Sequence, residues 1–219
     1  MCYNNSYVTE CNTSDFKCKK KNRIVTGKGK MFMNRNSGND RKQTGNAGSI
    51  VKESMVTALV RLMKKKPLTQ ITISELAGKA GVSRMSYYRN YDSKEQILTE
   101  HLDDIFEQYL IRIKKWNYRG SCFDYEFLIK CFEYFIRNED FLNCLLNNRM
   151  GDLILNDMTK YILGFFCPDD SDIVLYYKMQ AFAGSIYNTY AAWIKRGKKE
   201  TPEQMSRIVS TIYESTKIT

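Results

Sequence analysis

Residues Thr72 to Tyr91 read TISELAGKAGVSRMSYYRNY, and their spacing decides the fold of the chain. Thr72 followed at the third position by Glu75 is a capping box, in which each side chain satisfies a backbone N–H that the first helical turn leaves unpaired. A helix therefore starts there. Ile73, Leu76, Ala77 and Ala80 stand at i, i+3, i+4 and i+7 and give it one apolar face, with Ala77 small enough to let a second helix cross closely. Gly81 ends the helix, because a left-handed residue after the last turn is cheapest for glycine. Val82 plugs the corner and Ser83 caps the next helix by accepting an N–H bond. Two short helices and a tight turn make a helix-turn-helix.

The second helix, Ser83 to about Asn90, divides its side chains. Val82, Tyr87 and Tyr91 can face the first helix, while Arg84, Met85, Ser86, Tyr88 and Arg89 spread around the other side. A hydroxyl-rich outer face carrying two positive charges suits a groove lined by phosphates and base edges. Ser93-Lys94-Glu95-Gln96 is a second capping box. It places Lys94 in a first helical turn, where a cation opposes the helix dipole; a phosphate held by Lys94 and the free N–H groups would resolve that conflict.

These residues resemble a known family. Thr72-Ile73, the run Ala77 to Ser83, Tyr87-Tyr88, Tyr91 and Lys94-Glu95-Gln96-Ile97-Leu98 are similar to the N-terminal domain of the tetracycline-repressor (TetR) family, whose pattern here is roughly V-S-x-x-T-F-Y-x-H-F-x-x-K-E-x-L. Ser86 stands for Thr, Tyr87 for Phe, Asn90 for His and Tyr91 for Phe. The resemblance is strong from Ile50 to Leu98. Phe182-Ala183-Gly184-Ser185, Trp193-Ile194, Gly197 and Thr201-Pro202-Glu203-Gln204-Met205 resemble more loosely a C-terminal regulatory domain of one branch of that family. The resemblance implies a homodimeric, DNA-binding transcriptional regulator of the cytoplasm, expected to be a repressor released from its operator by a small-molecule effector, with an activator that docks a protein partner as the alternative. On it, Arg84, Met85 and Ser86 are expected at base edges, and Thr72, Ser83, Tyr88 and Lys94 at phosphates.

Charge supports nucleic-acid contact through its distribution. The formal charge is +10, yet residues 96–219 hold fifteen Lys or Arg against seventeen Asp or Glu, whereas residues 46–95 hold nine against four and residues 1–45 ten against three. The electrostatic footprint lies at one end of the chain. Residues 1–48 lack an apolar period and read as a disordered basic tail; translation starting at Met31 or Met33 is the alternative reading of that stretch. They also lack the apolar h-region of a signal peptide, and no apolar run approaches the roughly 20 residues that span a bilayer, so no membrane partner is expected.

Elsewhere the apolar spacing is helical. Val51, Met55, Ala58 and Leu62 mark a first helix; Leu98, Leu102, Ile105 and Tyr109 mark one leaving the head. Leu128, Cys131, Phe132 and Phe135 form a further stripe, Phe141 to Leu146 a short helix, and Ile154, Met158, Tyr161 and Phe165 another stripe. Leu175, Met179, Phe182, Ile186, Tyr190 and Trp193 predict a long helix, and Thr201-Pro202-Glu203-Gln204 caps one with Met205, Ile208, Val209 and Ile212 on its apolar face. The Gly-Lys-Lys turn between them predicts an antiparallel pair. The fold class expected is all-α: a tail over 1–48, a three-helix helix-turn-helix head over 49–97, and a C-terminal bundle over 98–219 that dimerises.

A single helix-turn-helix reads few base pairs, and such proteins bind half-sites about one helical turn apart as two-fold dimers. By the resemblance the last two helices form that interface, with Tyr187, Tyr190, Ile194 and Ile212 as contacts; alternatively both stripes face the monomer core. Aromatic residues crowd the C-terminal part, 21 of 28 lying after residue 95. They either pack as core or enclose a small apolar or aromatic effector, with Phe106, Tyr109, Trp116, Phe132, Phe135, Tyr161 and Phe182 as wall. A protein co-regulator docking on this region is a second reading. Lys64-Lys65-Lys66 reads as a solvated helix end or a further phosphate contact. Seven cysteines without a CxxC and a lone His101 predict reduced core thiols, no metal site and no cofactor. Paired carboxylates, a nucleophile beside histidine and a phosphate loop are all missing, so an enzyme is not expected.

Overall fold

The computed structural model describes residues 42–118, 120–169 and 171–214, and all regular structure among them is helical. The head holds α1 (Lys42–Met63), a single 3-10 turn at Leu68–Gln70, α2 (Ile73–Ala80) and α3 (Arg84–Asn90). The long α4 (Lys94–Trp116) leads out of it, followed by α5 (Tyr125–Arg137), α6 (Glu139–Asn147), α7 (Gly151–Phe166), α8 (Ile173–Lys195) and α9 (Pro202–Glu214).

At each helix start expected from a capping pattern the hydroxyl accepts the expected N–H, but at α4 the returning Gln96 Oε1 accepts from the Asp92 N–H at 2.7 Å and not from Ser93. Thr72 Oγ1 accepts the Glu75 N–H at 3.2 Å, Ser83 Oγ the Ser86 N–H at 3.1 Å, and Ser93 Oγ the Gln96 N–H at 3.1 Å. At α9 the box is reciprocal: Thr201 Oγ1 accepts the Gln204 N–H at 3.3 Å, and Gln204 Oε1 accepts the Thr201 N–H at 2.8 Å. One start differs from the expected boundary. α1 begins at Lys42, so residues 42–48 are helical where their composition reads as tail; an established helix propagates into poor helix formers more easily than it nucleates in them. The rest of the expected tail, residues 1–41 with the alternative starts at Met31 and Met33, lies outside the described residues.

Burial follows the apolar stripes. Met55, Ala58 and Leu62 of α1, Leu128, Cys131, Phe132 and Phe135 of α5, and Met179, Phe182, Ile186, Tyr190 and Trp193 of α8 are all buried. They belong to one apolar cluster that runs from Met55 to Val209. α1 rests on α2, α3 and α4; α4 then meets α7, α7 lies along α8, and α5 lies along α9. The antiparallel pair expected of α8 and α9 is not a packed one: α8 lies chiefly on α7 and α9 on α5, and the two helices are linked near the turn and at their far ends. Trp193 Nε1 donates to the Glu200 carbonyl at 3.0 Å beside the turn, and Phe182 meets Tyr213 edge-on at 5.6 Å at the far end.

The head joins the bundle through α6. Lys64 Nζ pairs with Asp140 at 2.8 Å, and His101 of α4 sits edge-on against Phe141 at 4.6 Å. Among the described residues no helix is long and apolar enough to cross a membrane.

Candidate nucleic-acid interface

The turn between α2 and α3 is a Schellman motif. Gly81 adopts φ +70°, its N–H reaches the Gly78 carbonyl at 3.3 Å, and the Val82 N–H reaches the Ala77 carbonyl at 3.0 Å. This closes α2 and fixes the angle at which α3 departs. Val82 packs partly buried against the core, as a corner plug must.

α3 then sorts its side chains as its spacing predicts. Tyr87 is buried and Tyr91, which caps the helix, is buried beside it, their rings 6.1 Å apart. Lys52 of α1 lies 5.8 Å over the Tyr91 ring. On the opposite side Met85 is 67% and Tyr88 59% exposed, flanked by exposed Arg84 and Arg89 and half-buried Ser86. Two large apolar side chains held in water on a basic helix are a surface built to be covered. The Ser83 hydroxyl caps α3 and also bonds the Ser86 hydroxyl at 3.0 Å, so the start of the helix is preorganised.

Lys94 occupies a different environment from the one its dipole conflict predicts. Its ammonium donates to the Leu68 carbonyl at 2.7 Å and the Ile71 carbonyl at 2.6 Å. The conflict is relieved by backbone oxygens of the 3-10 turn, which tie the start of α4 to the entry of α2. Two of the three ammonium donors are occupied inside the head. Of the lysine run, Lys64 pairs with Asp140 and Lys66 with Glu75, while Lys65 stays exposed. Lys66 is the largest cause holding the Glu75 carboxyl below its usual range, and the Thr72 backbone adds a smaller contribution.

The sequence of the head matches the family of bacterial regulatory proteins named for tetR over residues 56–100, from α1 into α4. Residues 125–215 match the transcriptional regulator C-terminal region of TetR type. The chain is a TetR-like regulator. Solved structures agree in fold: a TetR transcriptional regulator from Streptococcus agalactiae 2603V is 21% identical with a TM-score of 0.55, covering 77% of this chain and 96% of that one. The dihydroxyacetone kinase operon activator DhaS is 16% identical, with a TM-score of 0.53 and coverage of 77% and 96%. FadR from Bacillus subtilis, in complex with stearoyl-CoA, is 16% identical, with a TM-score of 0.52 and coverage of 73% and 96%. No curated protein sequence matches the chain.

In the bundle of this TetR-like regulator, the residues expected at an interface separate. Ile212 is 52% exposed. Tyr190 instead is fully buried against Phe135 at 4.9 Å, because its stripe faces the monomer core. Tyr187 is half-buried, and its hydroxyl lies so close to Gly151 that a Cβ there would meet it at 2.2 Å, which seats the ring on the first turn of α7. Ile194 is half-buried against the core. Ile208, 48% exposed, joins Ile212 on the outer face of α9, where the apolar pattern alone does not separate inner from outer isoleucines.

The expected effector wall is likewise divided. Phe132 packs on Phe135 and Trp193, Phe182 on Phe123, and Phe106 stacks on Tyr161 at 5.6 Å. Of the expected wall, Phe106, Phe132, Phe135 and Phe182 are buried in the core, and partly buried Tyr161 packs against it. Two others of the expected wall, Tyr109 and Trp116, line an open groove between α4 and α5. Arg112 and Arg137 share it; charged residues on amphipathic helices read as solvated face, so the sequence gives no signal for them. Cys122, Cys131, Cys144 and Cys167 are buried, and desolvation pushes the Cys122 and Cys131 thiols up to about 12. Thiols so protonated are poor nucleophiles. Among the described residues no cluster of His, Cys, Asp and Glu fits a metal.

Proposed function

We propose that the protein is a homodimeric, sequence-specific regulator whose α3 enters the major groove of operator DNA. The observation that carries this reading is the outer face of α3, where Met85 and Tyr88 are exposed between Arg84 and Arg89. Arg84, Met85 and Ser86 contact base edges; Thr72, Ser83 and Tyr88 grip phosphates. Lys94 acts chiefly by positioning, with its remaining donor available to the backbone of the DNA. Two copies pair through the outer face of α9, with Ile208 and Ile212 at the centre and Tyr187 and Ile194 at its edge. Ligand in the C-terminal bundle favours one spacing of the two heads over another and so releases the DNA, a coupling that typically amounts to 1–3 kcal/mol. FadR's complex with stearoyl-CoA supports such an effector.

A second reading is that the regulator activates, which DhaS, an operon activator of the same fold, favours; in it the bundle docks a protein partner. Selecting bound fragments from the source genome tests the core of both. The expected result is enrichment of two-fold symmetric sites whose half-sites are about one helical turn apart; fragments without a shared motif would overturn sequence-specific reading. Thermal shift with small hydrophobic compounds, set against pull-down of a protein, then separates ligand release from partner docking.

A further inference from the structure

The groove between α4 and α5 has a floor and a rim of different chemistry. Positions 109, 112, 113 and 116 of α4 face positions 130, 133, 134 and 137 of α5, two stripes of i, i+3, i+4, i+7 spacing. The floor is aromatic and held in place. The Tyr134 hydroxyl donates to the Ile105 carbonyl at 2.8 Å, and the Tyr109 ring lies 5.0 Å from the Tyr134 ring. Trp116, 36% exposed, stacks almost flat on Tyr118 at 4.3 Å. An indole left in water at one end of a groove, braced from behind, is a platform for a second ring.

The rim is cationic. The only carboxylate lining the groove, Glu133, is engaged by Lys130 at 3.4 Å. Among the described residues neither Arg112 nor Arg137 has a carboxylate within ion-pair distance. The Arg112 guanidinium sits 5.7 Å over the Tyr134 ring. Burial raises the Tyr134 pKa, and both Arg112 and Arg137 oppose that rise, so the two positive fields converge on one side chain. Guanidinium forks match planar oxyanions in pairs of hydrogen bonds. The groove encloses about 210 Å³; an apolar cavity of about 150 Å³ holds benzene, so the space suits a single substituted ring.

We propose that this groove binds a small aromatic acid, its ring on Tyr109, Tyr134 and Trp116 and its carboxylate between Arg112 and Arg137. The assignment deepens the effector reading above and rests on it for the consequence at the head, since α4 carries both Trp116 and Lys94. An acid bound here meets the end of α4 opposite to the one tied to Leu68 and Ile71.

The test uses the full chain and two probes that share one ring, 4-(trifluoromethyl)benzoate and the uncharged 4-(trifluoromethyl)benzyl alcohol, followed by fluorine NMR line broadening. The benzoate is expected to bind at least tenfold more tightly than the alcohol. Arg112→Gln with Arg137→Gln removes that preference, and Trp116→Ala weakens both probes. Both arginines are exposed, so the fold is expected to be retained, and circular dichroism checks it. Equal binding of the two probes by the native chain, or undiminished benzoate binding by the double variant, overturns the proposal. Release of selected DNA separates site from role. Benzoate bound with its arginine dependence but without release upholds the groove and refutes the effector reading; release that survives the double substitution refutes the groove and leaves that reading standing.

Discussion

At the residue scale Lys94 is the position where the structure most changes the meaning of the sequence. A cation in a first helical turn reads as an anion ligand. Its partners, the Leu68 and Ile71 carbonyls, belong to a turn whose geometry no side-chain pattern announces. Lys94→Met is therefore expected to lower the stability of the protein by about 2 kcal/mol, the scale of hydrogen bonds to a charged group, measured by urea denaturation. A residue acting only on phosphate would leave stability unchanged and reduce the salt slope of DNA binding by about one. Arg84→Ala is expected to relax the base preference at one position per half-site, measured by competition between DNA variants. His101 makes a second residue-scale case. Burial against Phe141 lowers its pKa, with Asp104 and Glu53 opposing, so between its lowered value and the unfolded value near 6.5 the unfolded chain binds more protons. Stability contributed by the neutral ring is intact above that range and falls as pH drops through it. The thermal midpoint of the native chain is expected to fall more steeply from pH 7 to pH 5 than that of His101→Phe. Equal slopes would remove His101 from the account.

At the scale of elements, the helices and their caps were legible because each rests on local chemistry: a hydroxyl at N-cap, an apolar period, a glycine at the end. Gly81 and Gly78 show how sharply local geometry decides. Gly81 has φ +70°, whereas the helical Gly78 has no positive φ, and a Cβ would meet nothing within 4 Å at either. Gly81→Ala is thus expected to destabilise by about 1 kcal/mol through the left-handed backbone, and Gly78→Ala to stabilise by about 0.4–1 kcal/mol, read from paired denaturation curves. Pairings between elements were less legible. The stripe of α8 marks which side is buried but not that α7 covers it, and the stripe of α5 does not show that its neighbour is α9. Periodicity assigns a face; chain topology assigns its partner. For the same reason Tyr190 and Ile212, alike in an apolar pattern, end on opposite sides of the monomer surface, and the groove arginines pass as ordinary surface.

The whole molecule places its positive excess before residue 96 and two exposed isoleucines, Ile208 and Ile212, one turn apart on the last helix. Ile208→Glu with Ile212→Glu is expected to shift the protein toward monomer in sedimentation velocity. Because both side chains are about half exposed, the helical content of the monomer should persist; an unchanged dimer would place the interface elsewhere. The same pair is expected to weaken operator binding far more than binding to a single half-site, since the gain from joining two heads is lost. The charge asymmetry was readable from the sequence alone, whereas the outer face of α9 proposed for pairing two copies needed the burial pattern. The central claim is that α3 reads base sequence, with charge supplying only part of the affinity. Its most direct test is the ratio of affinities for DNA selected by this protein and for scrambled DNA of the same length and salt. The account predicts a ratio of about 10³ or more, reduced by roughly tenfold or more in Arg84→Ala at the position it reads; a ratio near one, unchanged by that substitution, would contradict it.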